Sequence, residues 1–141
     1  MSDDIEAIKQ LKARYFRLMD TKQWDDMAQV FAEDCEIDTS SSGGGVQVGR
    51  DQFMTMLRAS IEDVTTVHHG HMPEITLTSP TTATGIWSME DMLWWPEGSP
   101  ITHLHGYGHY HETYTKGADG QWRIQTLELT RLRTDYELPD A

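Results

Sequence analysis

Residues 66–75, TVHHGHMPEI, stand where the pattern of this chain turns from helical to extended. Before them apolar residues recur every three to four positions. From Val64 onward they alternate with polar ones, as in a strand with one buried face. The stretch sets three histidines within four residues at the entrance of the first long strand. Strict alternation puts His69 and His71 on one side with Ile75 and Leu77, and His68 on the other. Pro73 disturbs that reading, because a proline within a strand goes with an edge or a bulge that changes which residues face inward. On pattern alone, the three histidines remain open between a base, ligands and polar surface.

Working back from there, Ile5, Ile8, Leu11, Tyr15 and Leu18, widened by Phe16 and Met19, predict an amphipathic helix from about Asp3. A second, short helix is expected from about Gln23, carrying Trp24, Met27, Val30 and Phe31. A third is expected from about Asp51, with Phe53, Met54, Leu57 and Ile61. Between these two, CEIDTSSSGGGVQVG combines a possible short strand with a serine and glycine run, expected as a mobile loop that forms a hairpin tip or a lid. Working forward, HMPEITLTS, TATGIWSMEDMLWW, ITHLHGYGHYHETYTK and QWRIQTLELTRLRT are strand-length runs divided by SPT, PEGSP and KGADGQ turns. Three helices followed by four long strands predict an α+β domain over residues 1–141. Strands of that length must twist and bend, so the sheet is expected to be antiparallel, curved and wrapped over the first helix.

With 23 acidic against 11 basic side chains the formal charge is -12, which repels phosphate backbones and anionic membrane surfaces. Nucleic acid and membrane partners are therefore not expected. Cys35 is the only cysteine, so no internal disulfide can form, and the start MSDDIEAIKQ lacks the basic and apolar segments of a secretion signal. A cytoplasmic location is expected. The acidic end DYELPDA reads as solvated.

Four groups of residues carry candidate chemistry. Asp91 shares a strand face with Trp87, Met89, Leu93 and Trp95, and a carboxylate in such surroundings needs a partner. A histidine on the adjacent strand would make an orienting acid and base pair; Arg131 or Arg133 would make a structural one. Tyr15 belongs to the apolar stripe, yet its hydroxyl could serve a carbonyl that gains negative charge. Asp20 is either a helix-end acid or part of the same site. His103, His105, Tyr107, His109 and His111 share one face, which suits a metal, a solvated surface or a subunit contact. No HExxH or cysteine framework supports a metal, so none is expected. The opposite face has Gly106 and Gly108, which leave room for a ligand or another backbone.

The segments IEAIKQLKARYFRLMDTKQWDDM, HGHMPEITLTSPTTATGIWSMEDML and DGQW resemble the SnoaL-like branch of the NTF2-like superfamily, and within it the bacterial bile acid 7α-dehydratases. The resemblance spans nearly the whole chain apart from the serine and glycine loop and the last residues. It implies a cone-shaped α+β barrel, a bent antiparallel sheet around a deep apolar pocket. It also implies His68 as base with Asp91 as its partner carboxylate, Tyr15 and Asp20 as further catalytic groups, and Trp24, Met19 and Arg131 as substrate contacts. One departure concerns the substrate: a pocket tyrosine of those dehydratases is missing, and Asp38 or Thr39 stands near its place.

The activity implied is that of a cofactor-independent lyase, a dehydratase acting on a hydrophobic ring-containing carbonyl compound of steroid-like or polyketide-like type. A ketosteroid-type isomerase or polyketide cyclase would use the same apparatus, and a non-catalytic binder of hydrophobic ligands would use only the pocket. Trp87, Trp94, Trp95, Leu93 and Ile86 occupy both faces of one strand, more apolar surface than one pocket uses. A homo-oligomer, dimer or trimer, is the expected remedy.

Overall fold

The computed structural model describes residues 2–140. Helix α1 (Ser2–Asp20) is followed by the short α2 (Trp24–Ala28), strand β1 (Phe31–Asp38), a 3-10 turn (Ser40–Ser42), β2 (Val46–Val48) and α3 (Arg50–Ile61). The four long strands are β3 (Thr65–Ser79), β4 (Thr82–Trp94), β5 (His103–Lys116) and β6 (Trp122–Glu137). They join β1 and β2 in one sheet of order β2-β1-β6-β5-β4-β3.

Two expectations change here. Phe31 opens a strand instead of closing a helix; its 0% exposure comes from packing edge to face on Phe53 of α3 and Tyr15 of α1. The sheet is mixed, because β1 runs parallel to β6 while every other pair is antiparallel. The serine and glycine run forms the tip between β1 and β2, closed by the Thr39 amide donating to Gly45 carbonyl oxygen at 2.9 Å and by Gly43 in the left-handed region.

Helix α1 buries Ile8, Leu11, Tyr15, Leu18 and Met19, the stripe that periodicity assigned to the core. It packs on both β3 and β6. These strands lie three places apart, so the sheet must curve around the helix to reach it. Within the core, Lys12 is fully buried and donates to Glu112 at 2.5 Å, and Glu112 accepts from Tyr114, whose oxygen accepts from Trp87. The Lys12 ammonium also lies 3.5 Å from the Tyr15 ring centre and 3.6 Å from that of Tyr110. A buried ion pair this well satisfied fixes the two tyrosines from behind.

The opening stretch is decided by a bulge. His68, His69 and Gly70 pair with Asp91, Glu90 and Met89, but Pro73 pairs with Trp87, so three steps along β3 match two along β4. The parity of the strand therefore reverses between Gly70 and Pro73. His68 and Gly70 share the inner face with Ile75 and Leu77, while His69 and His71 face out. A side chain at Gly70 would press on the Phe16 ring, so the inward turn relies on glycine at that place.

A candidate active site under the third helix

A cavity of about 230 Å³ opens between α1, α3 and the inner face of the sheet. One part is apolar, with Met19, Phe53, Leu57, Ile61 and Trp95 on its walls. The other is polar, with Tyr15, His68, Asp91, Tyr110 and Arg131. Phe53, Leu57 and Ile61 are four residues apart, so one stripe of α3 forms that part of the wall.

The polar end is built around His68. Its Nδ1 lies 2.7 Å from Asp20 Oδ1, and its backbone amide donates to Asp20 Oδ2 at 2.8 Å. An ionised carboxylate only accepts, so Asp20 holds the proton on Nδ1 and leaves the Nε2 lone pair free. Nε2 is 4.0 Å from Asp91 Oδ2, beyond hydrogen-bond range. The expected pairing of His68 with Asp91 is thus corrected: the two are cross-strand neighbours, yet the imidazole bonds Asp20. Asp91 is held instead by Arg131, whose Nη1 and Nη2 donate to its two oxygens at 3.0 and 2.8 Å. The bidentate geometry satisfies a carboxylate that is only 3% exposed.

Arg131 reaches Asp91 by crossing β5, which separates β6 from β4. A Cβ at Gly106 would collide with the guanidinium and with the Asp91 carboxylate. The room that the β5 glycine leaves is therefore filled by this ion pair. Arg131 Nε also donates to Ser42 Oγ at 2.8 Å, which ties the β1–β2 tip to the cavity wall.

Tyr15 and Tyr110 pack edge to face, 5.7 Å between ring centres. Burial pushes both phenols well above the ordinary tyrosine value, so they stay protonated and act as donors. Thr39 Oγ1 is buried in the cavity wall and has no hydrogen-bond partner among the described residues. A ligand oxygen or hydroxyl would supply one.

Tyr15, His68, Asp91, Met19 and Arg131 are thus brought together, with Asp20 directly behind His68. Trp24 is not among the lining residues; the Lys22 ammonium stands 6.0 Å from its ring centre. Sequence reasoning missed Tyr110, although its place on the Gly106 and Gly108 face of β5 marked it as inward. On the outer face His71 Nε2 and His105 Nε2 lie 3.1 and 2.8 Å from the Glu90 carboxylate. Among the described residues no group of three or more His, Cys, Asp or Glu could hold a metal ion. Cys35 is buried, and burial pushes its thiol up to about 11, which removes it as a nucleophile at neutral pH. No helix of the described residues is long and apolar enough to cross a membrane.

Known proteins of the same build include enzymes. A probable cyclase of Gibberella zeae is 28% identical, covering 89% of this chain and 89% of that protein. The crystal structure of a candidate scytalone dehydratase from Novosphingobium aromaticivorans superposes with a TM-score of 0.84 at 25% identity, covering 100% of this chain and 95% of that one. A hexachlorocyclohexane dehydrochlorinase from Novosphingobium barchaimii shares the fold with a TM-score of 0.81 at 16% identity, covering 99% and 96%. The sequence pattern of the SnoaL-like domain matches residues 1–128, and with that match the chain belongs to the SnoaL-like family.

Proposed function

We propose that the protein is a cofactor-independent lyase that removes water from a compact hydrophobic ring compound bearing a carbonyl. The observation that carries this is the His68 and Asp20 pair at 2.7 Å, with the unprotonated ring nitrogen turned toward Asp91 at the polar end of the cavity. In the step we propose, His68 Nε2 takes a proton from a carbon activated by the carbonyl, and the C–H electron pair forms a carbon–carbon double bond. The neighbouring C–O bond breaks, the leaving oxygen takes the proton back from the imidazolium, and water departs. Asp20 compensates the transient imidazolium charge. Tyr15 and Tyr110 donate to the oxygen on which enolate charge builds. The Arg131 and Asp91 pair and the Thr39 hydroxyl hold the polar substituents, and Met19 packs against the rings.

The cavity volume supports a substrate of one or two rings. About 230 Å³ lies below the roughly 300 Å³ at which pockets for drug-sized molecules begin. A polyketide-like compound therefore suits it better than the four-ring nucleus that likeness to bile acid 7α-dehydratases implies. The cyclase and dehydratase names among the relatives support a lyase or cyclase class of chemistry. Cyclisation is the second reading, since the same base generates the enolate that would close a ring. Incubation with hydroxyketones of one and two rings, followed by mass spectrometry, separates the readings: loss of one water supports the lyase, and rearrangement at constant mass supports an isomerase or cyclase. Ligands bound with no turnover, and with affinity unchanged in His68→Gln, would leave only a binding protein.

We also infer a homo-oligomer, dimer or trimer, in the cytoplasm. Trp94, 42% exposed and stacked on His103, and Ile86, 38% exposed, support an interface on the outer face of β4 and β5. A mass near 16.1 kDa by light scattering at micromolar concentration would count against it.

A further inference from the structure

Helix α1 ends in a Schellman motif: the Gln23 amide donates to Leu18 carbonyl oxygen at 2.9 Å and the Lys22 amide to Met19 carbonyl oxygen at 3.1 Å. The residue between the last turn and Gln23 must then be left-handed, a place usually given to glycine. Here it is Lys22, with φ 60, the only non-glycine residue in that region among the described residues. A lysine there strains the backbone that glycine would relieve. What the lysine side chain does is visible at its far end. Its ammonium donates to Thr66 Oγ1 at 2.9 Å.

That contact sets the direction of every proton behind the proposed base. An ammonium has no lone pair, so Thr66 Oγ1 must accept from Lys22 and point its own hydrogen elsewhere. It points to Asp20 Oδ1, at 2.9 Å. The Asp20 carboxylate then receives three donors: the Thr66 hydroxyl, the His68 amide and His68 Nδ1. A neutral carboxyl would accept these three more weakly than a carboxylate does. We infer that Lys22 is a positioning residue for the His68 and Asp20 pair: through Thr66 it holds the carboxylate against the imidazole in the form whose free nitrogen faces the cavity, and its own charge opposes protonation of that nitrogen.

The other charged and titratable groups around the imidazole are Asp20 and Tyr15 from α1, Asp91 from β4, Tyr110 from β5 and Arg131 from β6. Two of them, Asp91 and Arg131, neutralise each other, which leaves Lys22 as the cation facing Asp20. The ring of Trp24 beside the ammonium gives it an apolar neighbour that carries no competing acceptor for the charge.

The inference rests on the reading of His68 as a base, and the test keeps the two apart. Titration of the seven histidines by imidazole NMR, with the His68 signal assigned by its loss in His68→Gln, needs no substrate. In Lys22→Met and Lys22→Gly the His68 midpoint should rise by roughly 0.5 to 1 pH unit, because a cation that opposes imidazole protonation is gone. Lys22→Arg should restore most of the original value. Lys22→Gly should also melt at or above the wild-type temperature, since the left-handed strain is relieved, so a purely structural role for Lys22 predicts no change in the titration. An unchanged or lowered His68 midpoint in both Lys22→Met and Lys22→Gly overturns the inference. If Asp20→Asn also leaves the His68 titration and its nitrogen shifts unaltered, the pair itself is wrong, and the failure lies with the base instead of with Lys22.

Discussion

The two faces of the sheet use histidine in opposite ways. Of the seven histidines, only His68 turns inward, where one carboxylate fixes its proton and the free nitrogen meets a cavity. The other six lie outside, three of them gathered around Glu90 at 2.8, 3.1 and 3.9 Å, and His103 stacked under Trp94. The outer face has more imidazoles and more carboxylate contacts. Its Glu90 cluster lines none of the cavity that His68 faces, and exposed pairs of this kind exchange their partners with water at little cost. Number is thus a poor guide to placement; the bulge between Gly70 and Pro73 goes with the one histidine that faces the cavity.

The comparison is broken most directly by exchanging one histidine on each face. His68→Gln should lower turnover by about 10²- to 10⁴-fold, the usual contribution of a general base. Asp20→Asn should fall in the same range, because the imidazole then loses the anion that sets its proton. His105→Gln, on the outer face, should leave turnover within about twofold. Steady-state kinetics on a substrate found by the mass assay decide this, and equal losses from His68→Gln and His105→Gln would refute the division between faces.

How far the sequence carried this division depends on which forces were local. Helix α1 and the four long strands follow from periodicity, since each buries one face over many residues. The first half of strand β1 did not, because Trp24, Met27, Val30 and Phe31 continue a helical spacing across the break at Gln29; only CEID reads as a short strand. The parallel pairing of β1 with β6 joins residues about ninety positions apart and leaves no local mark. In the site, alternation placed Asp91 correctly on the inner face with Trp87 and Met89. Its partner was not legible: His68 is its cross-strand neighbour, but Arg131 reaches it from two strands away over Gly106, a contact that depends on a missing side chain on the strand between. Asp20, at the end of a helix, meets His68 only because α1 lies in the curve of the sheet.

Stability should separate the inner network from the outer one in the same sense. Lys12 and Glu112 have side chains with 0% exposure, so Lys12→Met would leave a carboxylate buried without its cation. A loss of about 3–5 kcal/mol is expected by urea denaturation. Adding Glu112→Leu should recover part of it, since the stranded charge is removed. The bulge carries a smaller cost. In Gly70→Ala a new methyl would stand 2.6 Å from the Phe16 ring and 3.2 Å from Trp87, and the ring must yield. About 1–3 kcal/mol is expected. Replacement at no cost would mean that the inward turn of His68 does not depend on glycine.

The smallest effect belongs to Glu90, and its sign follows from the direction of its shift. Hydrogen bonds from His105 and then His71 hold its carboxyl below the usual glutamate value. A carboxyl lowered on folding contributes stability that is fully present above its unfolded value, near 4.5, and lost as pH falls through the lower folded value. The side chain is 25% exposed and its histidines are 30% and 53% exposed, so solvent screening limits the contribution to under about 1 kcal/mol. Urea denaturation of the wild type and of Glu90→Gln should therefore differ slightly at pH 5.5 and converge as the pH is lowered toward 3. Turnover of Glu90→Gln at neutral pH should stay close to wild type. A variant that loses activity while keeping its stability would place the outer imidazoles in the chemistry after all, and would erase the contrast between the two faces.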